Sequence, residues 1–120
     1  MKIRNVYTCP LELTHDMMKG KWKPIIVWRL RLGPTSLSKL EKDIEGITQK
    51  MLLEQLKELK EFDIVDKHVF DGYPLKVEYF LTEDLGMQML EALTIMQKIG
   101  IAYMKHNGMD QELKAKGITN

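Results

Sequence analysis

The stretch Gly46–Leu59, GITQKMLLEQLKEL, decides the fold. Leu52, Leu56 and Leu59 recur at the three- and four-residue spacing that lines one face of a helix. Ahead of them stand Thr48, Gln49 and Lys50, which fill the first turn with hydrogen-bond donors and positive charge. Thr48 suits the N-cap, where a hydroxyl oxygen satisfies an amide that the helix leaves without a partner. Two readings fit these residues. One is an ordinary amphipathic helix with a solvated first turn. The other is a helix anchored by its rear face whose start projects toward a polar partner. Taken alone the helix favours the first, and its neighbours reverse the balance.

Immediately upstream, SLSKLEKDI places Leu37, Leu40 and Ile44 on one face of a short helix. Ser36 and Ser38 compete to cap it, the latter with Glu41 in a capping box. Glu45-Gly46-Ile47 makes a tight connection between the two helices. Downstream of Asp63 the pattern changes. IVDKHVF is rich in β-branched and aromatic residues, DGYP signals a turn, and LKVEYFL alternates with Val77, Tyr79 and Leu81 on one side, which predicts a β-hairpin. Further out, LELTHDMM reads as a short helix ending near Gly20. KWKPIIVWRLRL reads as a second helix that tolerates Pro24 in its first turn and stops at Gly33-Pro34. A long helix runs from Leu85 to about Lys105, and DQELKAK adds a last helical turn. Two short helices joined by a tight turn and followed by a hairpin define a winged helix-turn-helix. The expected class is mainly α with a small β-hairpin (α+β), a single domain over residues 1–120 with flanking N- and C-terminal dimerisation helices.

Composition narrows the partners. With 120 residues, 44% hydrophobic and 29% charged, the chain has the makeup of one globular domain. A net charge of +1 is not that of a non-specific nucleic-acid coat, so any nucleic-acid contact must come from local patches. No secretory signal or membrane-length apolar run is visible, and the single cysteine, Cys9, suits a reducing cytoplasm. His15, His68 and His106 are scattered, without metal-site spacing. No phosphate loop, CxxC or nucleophile motif suggests an enzyme, and no cofactor is expected.

In a helix-turn-helix the second helix enters the DNA major groove by its N-terminal residues. Gln49 then bonds an adenine edge, Lys50 reaches guanine or phosphate, and Thr48 meets a phosphate or a thymine methyl. Leu53, one turn on, joins them. Ser36 and Lys39 open the preceding helix, where they can touch the flanking backbone. On the wing, Lys67, His68, Tyr73 and Lys76 are placed for phosphates or the minor groove, the alternative being a solvated hairpin. Lys19, Lys21, Lys23, Arg29 and Arg31 form a basic cluster that could clamp phosphates from the scaffold, but it is read for the most part as a solvated face. The long helix is apolar over well over half its circumference. That excess calls for a second copy, with Leu90, Leu93, Met96, Ile99 and Tyr103 at a homodimer interface. A Met-rich ligand pocket is the competing use of that surface.

CPLELTHDMMKGKWKPIIVWRL, the Gly33-Pro34 pair, GITQKMLLEQLKEL and PLKVEYFLT together resemble the HxlR-type bacterial winged-helix transcriptional regulators, relatives of the MarR group. The likeness covers Cys9 to about Gly100. It implies a homodimer that binds double-stranded operator DNA as repressor or local activator. In some members a cysteine near the N-terminus senses electrophiles or oxidants, and Cys9 holds the matching position. On residues alone a small buried hydrophobe is the better reading of Cys9, and the resemblance brings the sensor reading level with it. One departure is visible: the family commonly has leucine-threonine, two residues, then glycine, whereas three residues separate Thr82 from Gly86 here, which predicts a shifted start to the long helix. The competing function is a winged-helix protein-interaction module that binds no DNA, which should expose apolar side chains rather than donors at the start of the Gly46–Leu59 helix. A thiol enzyme built on Cys9 is a third option, without an evident base nearby.

Overall fold

The computed structural model describes residues 6–118. The first helix, α1 (Pro10–Met17), begins at Cys9 and is closed by Glu12, whose carboxylate accepts from the amides of Thr8 at 2.6 Å and Cys9 at 3.1 Å. Helix α2 (Trp22–Leu30) carries Pro24 in its first turn, as the missing amide there costs nothing. The short strand β1 (Thr35–Ser36) leads directly into α3 (Leu37–Asp43). Ser36, and not Ser38, is the cap: its hydroxyl accepts from the Lys39 amide at 3.3 Å. Gly46, at φ 89°, makes the turn into α4 (Gln49–Glu61), and the Thr48 hydroxyl accepts from the Met51 amide at 3.2 Å.

Asp63 terminates α4 in the left-handed region, at φ 61°. The amides of Asp63 and Ile64 return to the carbonyls of Lys60 and Leu59, at 3.1 and 3.0 Å. The wing consists of β2 (Val65–Phe70) and β3 (Lys76–Leu81), antiparallel, with Val65 opposite Leu81 and Phe70 opposite Lys76. The expected hairpin is part of a three-stranded sheet, order β1-β3-β2, since Thr35 and Ser36 pair with Tyr79 and Glu78. Two residues are too few to show an alternating pattern, so β1 left no periodic signal in the sequence.

Beneath these elements lies one apolar core: Ile26, Val27 and Leu30 of α2, Leu40 of α3, Leu52, Leu56 and Leu59 of α4, then Phe62, Ile64, Val65 and Tyr79. Lys23 belongs to it too, which corrects the reading of the basic cluster as a solvated face. Its side chain is 2% exposed, and its ammonium donates to Gln55 Oε1 at 2.8 Å and to the carboxylate of Glu58. Arg29 is also engaged within the fold, holding Asp43 Oδ2 through Nε at 2.9 Å and Nη2 at 2.5 Å.

The three-residue spacing before Gly86 is resolved at the start of α5 (Leu85–His106). Thr82 Oγ1 donates to the Asp63 carbonyl at 2.7 Å and accepts from the Gly86 amide at the same distance. A Cβ at Gly86 would lie 2.4 Å from the Ile64 carbonyl oxygen and 2.9 Å from Thr82 Oγ1, so only glycine fits. The additional residue is absorbed in the turn at Glu83-Asp84, and Gly86 still seats against the threonine.

The chain divides into two compact units at Leu90/Glu91, and α5 runs through both. In the second unit α5 ends at a left-handed Gly108 (φ 72°), followed by α6 (Asp110–Ala115) with Leu113 buried. Ile95, Met96, Ile99 and Tyr103 form an exposed stripe on α5, each about 60% exposed or more. Of the five residues expected at a dimer interface, Leu93 is instead already buried and Leu90 is half-buried, so the available surface is Met96, Ile99 and Tyr103 together with Ile95.

Candidate nucleic-acid interface

Helix α4 sorts its residues by face. With Leu52, Leu56 and Leu59 turned to the core, the helical period places Lys50, Leu53, Glu54 and Lys57 on the outward side, whereas Gln49 shares the period of the leucines and stands at the first position of the helix; all five are exposed. Thr48 is exposed at the head of the helix, with its hydroxyl engaged as cap. Glu54 and Lys57 were missed in the sequence; their spacing from Lys50 and Leu53 was the signal that places them on this face. Met51 and Leu53 are 37% and 42% exposed, so the outward side is not purely polar.

Behind this surface two ionic contacts hold the helices in position. Lys23 joins α2 to α4, and its ammonium holds the Glu58 carboxyl below the usual glutamate range. Asp43, at the end of α3, is bonded by Arg29 and also accepts from the Lys39 ammonium at 3.0 Å. Arg29 first, then Lys39, lower its carboxyl from the usual aspartate value. Lys39 is therefore exposed yet partnered, and the Ser36 hydroxyl accepts as the cap of α3, which leaves its O–H able to donate.

On the wing, Lys67 and His68 are exposed on β2. The His68 ring meets Phe70 edge-on at 4.3 Å, and Lys76, directly across from Phe70 on β3, has its ammonium 5.2 Å from the Phe70 ring and 3.6 Å from Glu78. Tyr73, in the turn, is fully exposed. The donor face of α4, the start of α3 and the wing thus all belong to the first compact unit, which the flanks of the Gly46–Leu59 stretch had foreshadowed.

Cys9 is exposed, which overturns its reading as a buried hydrophobe. Among the described residues no group of histidine, cysteine and carboxylate side chains is placed to hold a metal ion, and no helix is long and apolar enough to cross a membrane.

Short helices joined by a glycine turn, a capped second helix and a hairpin completing a small sheet define the class: a winged helix-turn-helix protein. Residues 17–108 match the HxlR-like helix-turn-helix family, and the chain belongs to it. It is 43% identical over 98 residues to MalR of Fusobacterium mortiferum, which carries a regulator's name; the match spans 81% of this chain and 92% of MalR. Among solved structures it resembles the redox regulator HypR in its reduced form, with a TM-score of 0.74 and 35% identity over 78% of this chain and 92% of HypR. It also resembles the reduced transcriptional regulator YodB of Bacillus subtilis, with a TM-score of 0.68 and 34% identity over 77% and 90% of the two chains. The relatives are transcriptional regulators, and the fold is theirs.

Proposed function

We propose that this chain is a single-domain, sequence-specific DNA-binding transcriptional regulator that works as a homodimer on operator DNA in the bacterial cytoplasm. The observation that carries this reading is the exposed start and outer face of α4: Gln49 is exposed at the first position, and Lys50 and Leu53 point outward from a helix locked from behind by three leucines and the Lys23–Glu58 pair. In this reading Gln49 and Lys50 read base edges, Leu53 contacts a thymine methyl, and Glu54 and Lys57 extend the same face. Ser36, Lys39, Thr48, Lys67, Tyr73 and Lys76 contact backbone and groove walls. No catalytic role or cofactor enters it.

Quantitative binding to duplexes selected from a random library tests the assignment. Gln49→Ala should lose about 1–3 kcal/mol of discrimination at one or two base pairs. Lys76→Ala should weaken all sequences alike and lower the salt slope by about one. Identical, sequence-independent losses in both variants would refute the division of roles. A protein-docking module is the second reading, favoured by the part-exposed Met51 and Leu53; failure to select any duplex would leave it standing.

The exposed Ile95, Met96, Ile99 and Tyr103 stripe supports dimerisation through α5. Ile99→Glu should yield monomers in sedimentation, because it would bury unpaired carboxylates at the two-fold contact. Cys9 is the proposed site of response to an oxidant or electrophile, supported by its exposure and by likeness to HypR and to YodB, which has also been solved after diamide treatment. Diamide should change operator affinity in wild type and not in Cys9→Ser; equal affinities throughout would remove the role.

A further inference from the structure

The end of the wing is unlike its stem. Between β2 and β3 the chain reads Asp71-Gly72-Tyr73-Pro74-Leu75, with one charge and three apolar or aromatic residues. Tyr73 is 102% exposed and Leu75 67%. Pairing between the strands continues to the last residues before the turn, at Phe70 opposite Lys76. His68 and Lys76 both pack on the Phe70 ring, which braces the arm just below its end. At about 3.4 Å per residue, the six paired residues of β2 carry this tip roughly 17 Å from the Val65–Leu81 pair at the core.

An apolar tip at the end of a braced two-stranded arm selects its occupant by size. A stable protein interface needs roughly 800 Å² from each partner. Tyr73, Pro74 and Leu75 offer a fraction of that, since even a large aromatic side chain buries only about 150–250 Å². A membrane surface is a poor match as well, because Asp66, Asp71 and Glu78 outnumber Lys67 and Lys76 along the hairpin. A narrow, deep receptor fits, and a DNA minor groove is about 6 Å wide. The tip has no cation with which to read that groove by charge. What it presents is a ring, a pyrrolidine and a branched aliphatic chain, the kind of side chains that enter a base step and unstack it.

Resting on the DNA-binding reading above, we propose that Tyr73, Pro74 and Leu75 form an apolar wedge that enters the minor groove flanking the α4 contact, opens one base step and bends the operator. Lys67 and Lys76, on the stem, would then lie against the phosphates bordering the wedge.

The test uses the full chain and duplexes selected from a random library on the wild-type protein, end-labelled for energy transfer and carrying 2-aminopurine at each step in turn. Wild type should raise 2-aminopurine fluorescence at one step per half-site, outside the guanines whose N7 it protects from methylation, and should bring the duplex ends closer. A Tyr73→Ser, Leu75→Ser variant should keep the N7 protection and the wild-type melting curve, lose both fluorescence signals and bind about ten-fold more weakly. Protected duplexes that show no brightened step and no shortening with wild type would overturn the wedge while leaving the DNA reading intact. Equal signals from the double variant would overturn it as well. A selection that returns no duplex would remove the DNA reading, and the wedge with it.

Discussion

Glu58→Gln isolates the buried charge in the winged-helix core. Lys23 is 2% exposed, and its ammonium is met by the Glu58 carboxylate and by the amide oxygen of Gln55 at 2.8 Å. Removing one partner of a buried pair costs about 3–5 kcal/mol when the remaining charge is stranded. Here Gln55 stays in place and the Glu58 side chain is 24% exposed, so water reaches that end of the pair. Both features discount the loss, to roughly 2 kcal/mol. For a domain of this size each kcal/mol moves Tm by about 4 °C, which gives a fall of roughly 8 °C. Lys23→Met is the control, because it deletes the buried cation, keeps the length of the side chain, and leaves Glu58 to rehydrate. Its cost should stay within about 1 kcal/mol. Thermal melts followed by far-UV circular dichroism at neutral pH give the order: wild type and Lys23→Met together, Glu58→Gln well below. A Lys23→Met variant that melts as low as Glu58→Gln, or lower, would show that the ion pair itself is stabilising and would refute the desolvation argument.

Gly86→Ala forces a Cβ to within 2.4 Å of a backbone carbonyl that cannot rotate away, and denaturant melts should show a loss of about 3 kcal/mol. Asp63→Gly should act in the opposite sense, raising stability by up to about 1 kcal/mol in the same assay, since Asp63 occupies the left-handed region at φ 61°. The folded-state pKa values of Glu58 and Asp43 are both depressed, so their contribution is complete above the ordinary carboxylate range and is lost as pH falls through the folded values. Tm should therefore hold steady down to about pH 5 and drop below about pH 4, with a shallower drop in Glu58→Gln.

The sequence was most legible where periodicity and punctuation coincide. Leu52, Leu56 and Leu59 fixed the rear of α4, Thr48 fixed its start, and the Asp71-Gly72 turn between two alternating runs fixed the wing. Legibility failed where a residue's partner is distant in the chain. Lys23 looks like one more lysine among Lys19, Lys21, Arg29 and Arg31, because nothing local shows that Gln55 and Glu58, more than thirty residues on, close over it. β1 escaped because two residues define no alternation, and it exists only through pairing with Tyr79 and Glu78. Leu93 and Ile95 could not be sorted from sequence either, as a helix apolar over most of its circumference carries no phase. Gly86 was visible as a glycine one residue out of place, yet the reason it must be glycine lies in the Ile64 carbonyl across the turn.

These internal contacts also bear on why the proposed DNA reading calls for a dimer. Two cations that a sequence reading offers to DNA are committed elsewhere, Lys23 to Glu58 and Arg29 to Asp43. Lys39 and Lys76 sit beside Asp43 and Glu78, so each must exchange a carboxylate for a phosphate on binding and gains less than an unpartnered lysine would. That leaves Lys50, Lys57 and Lys67 as the exposed cations on the proposed surface with no ion pair described. With each neutralised phosphate contributing about 0.9 to the salt slope, one protomer supplies a slope of only about 3 to 5, too little for firm binding at physiological salt. Two protomers joined through α5 double it to about 6–10, the range in which affinity depends steeply on salt and half-site pairing multiplies specificity. In the proposed mechanism, then, anything that alters the spacing of the two readers acts on the half of that electrostatic contribution that the second protomer supplies, which is where a response at the exposed Cys9 would have to take effect.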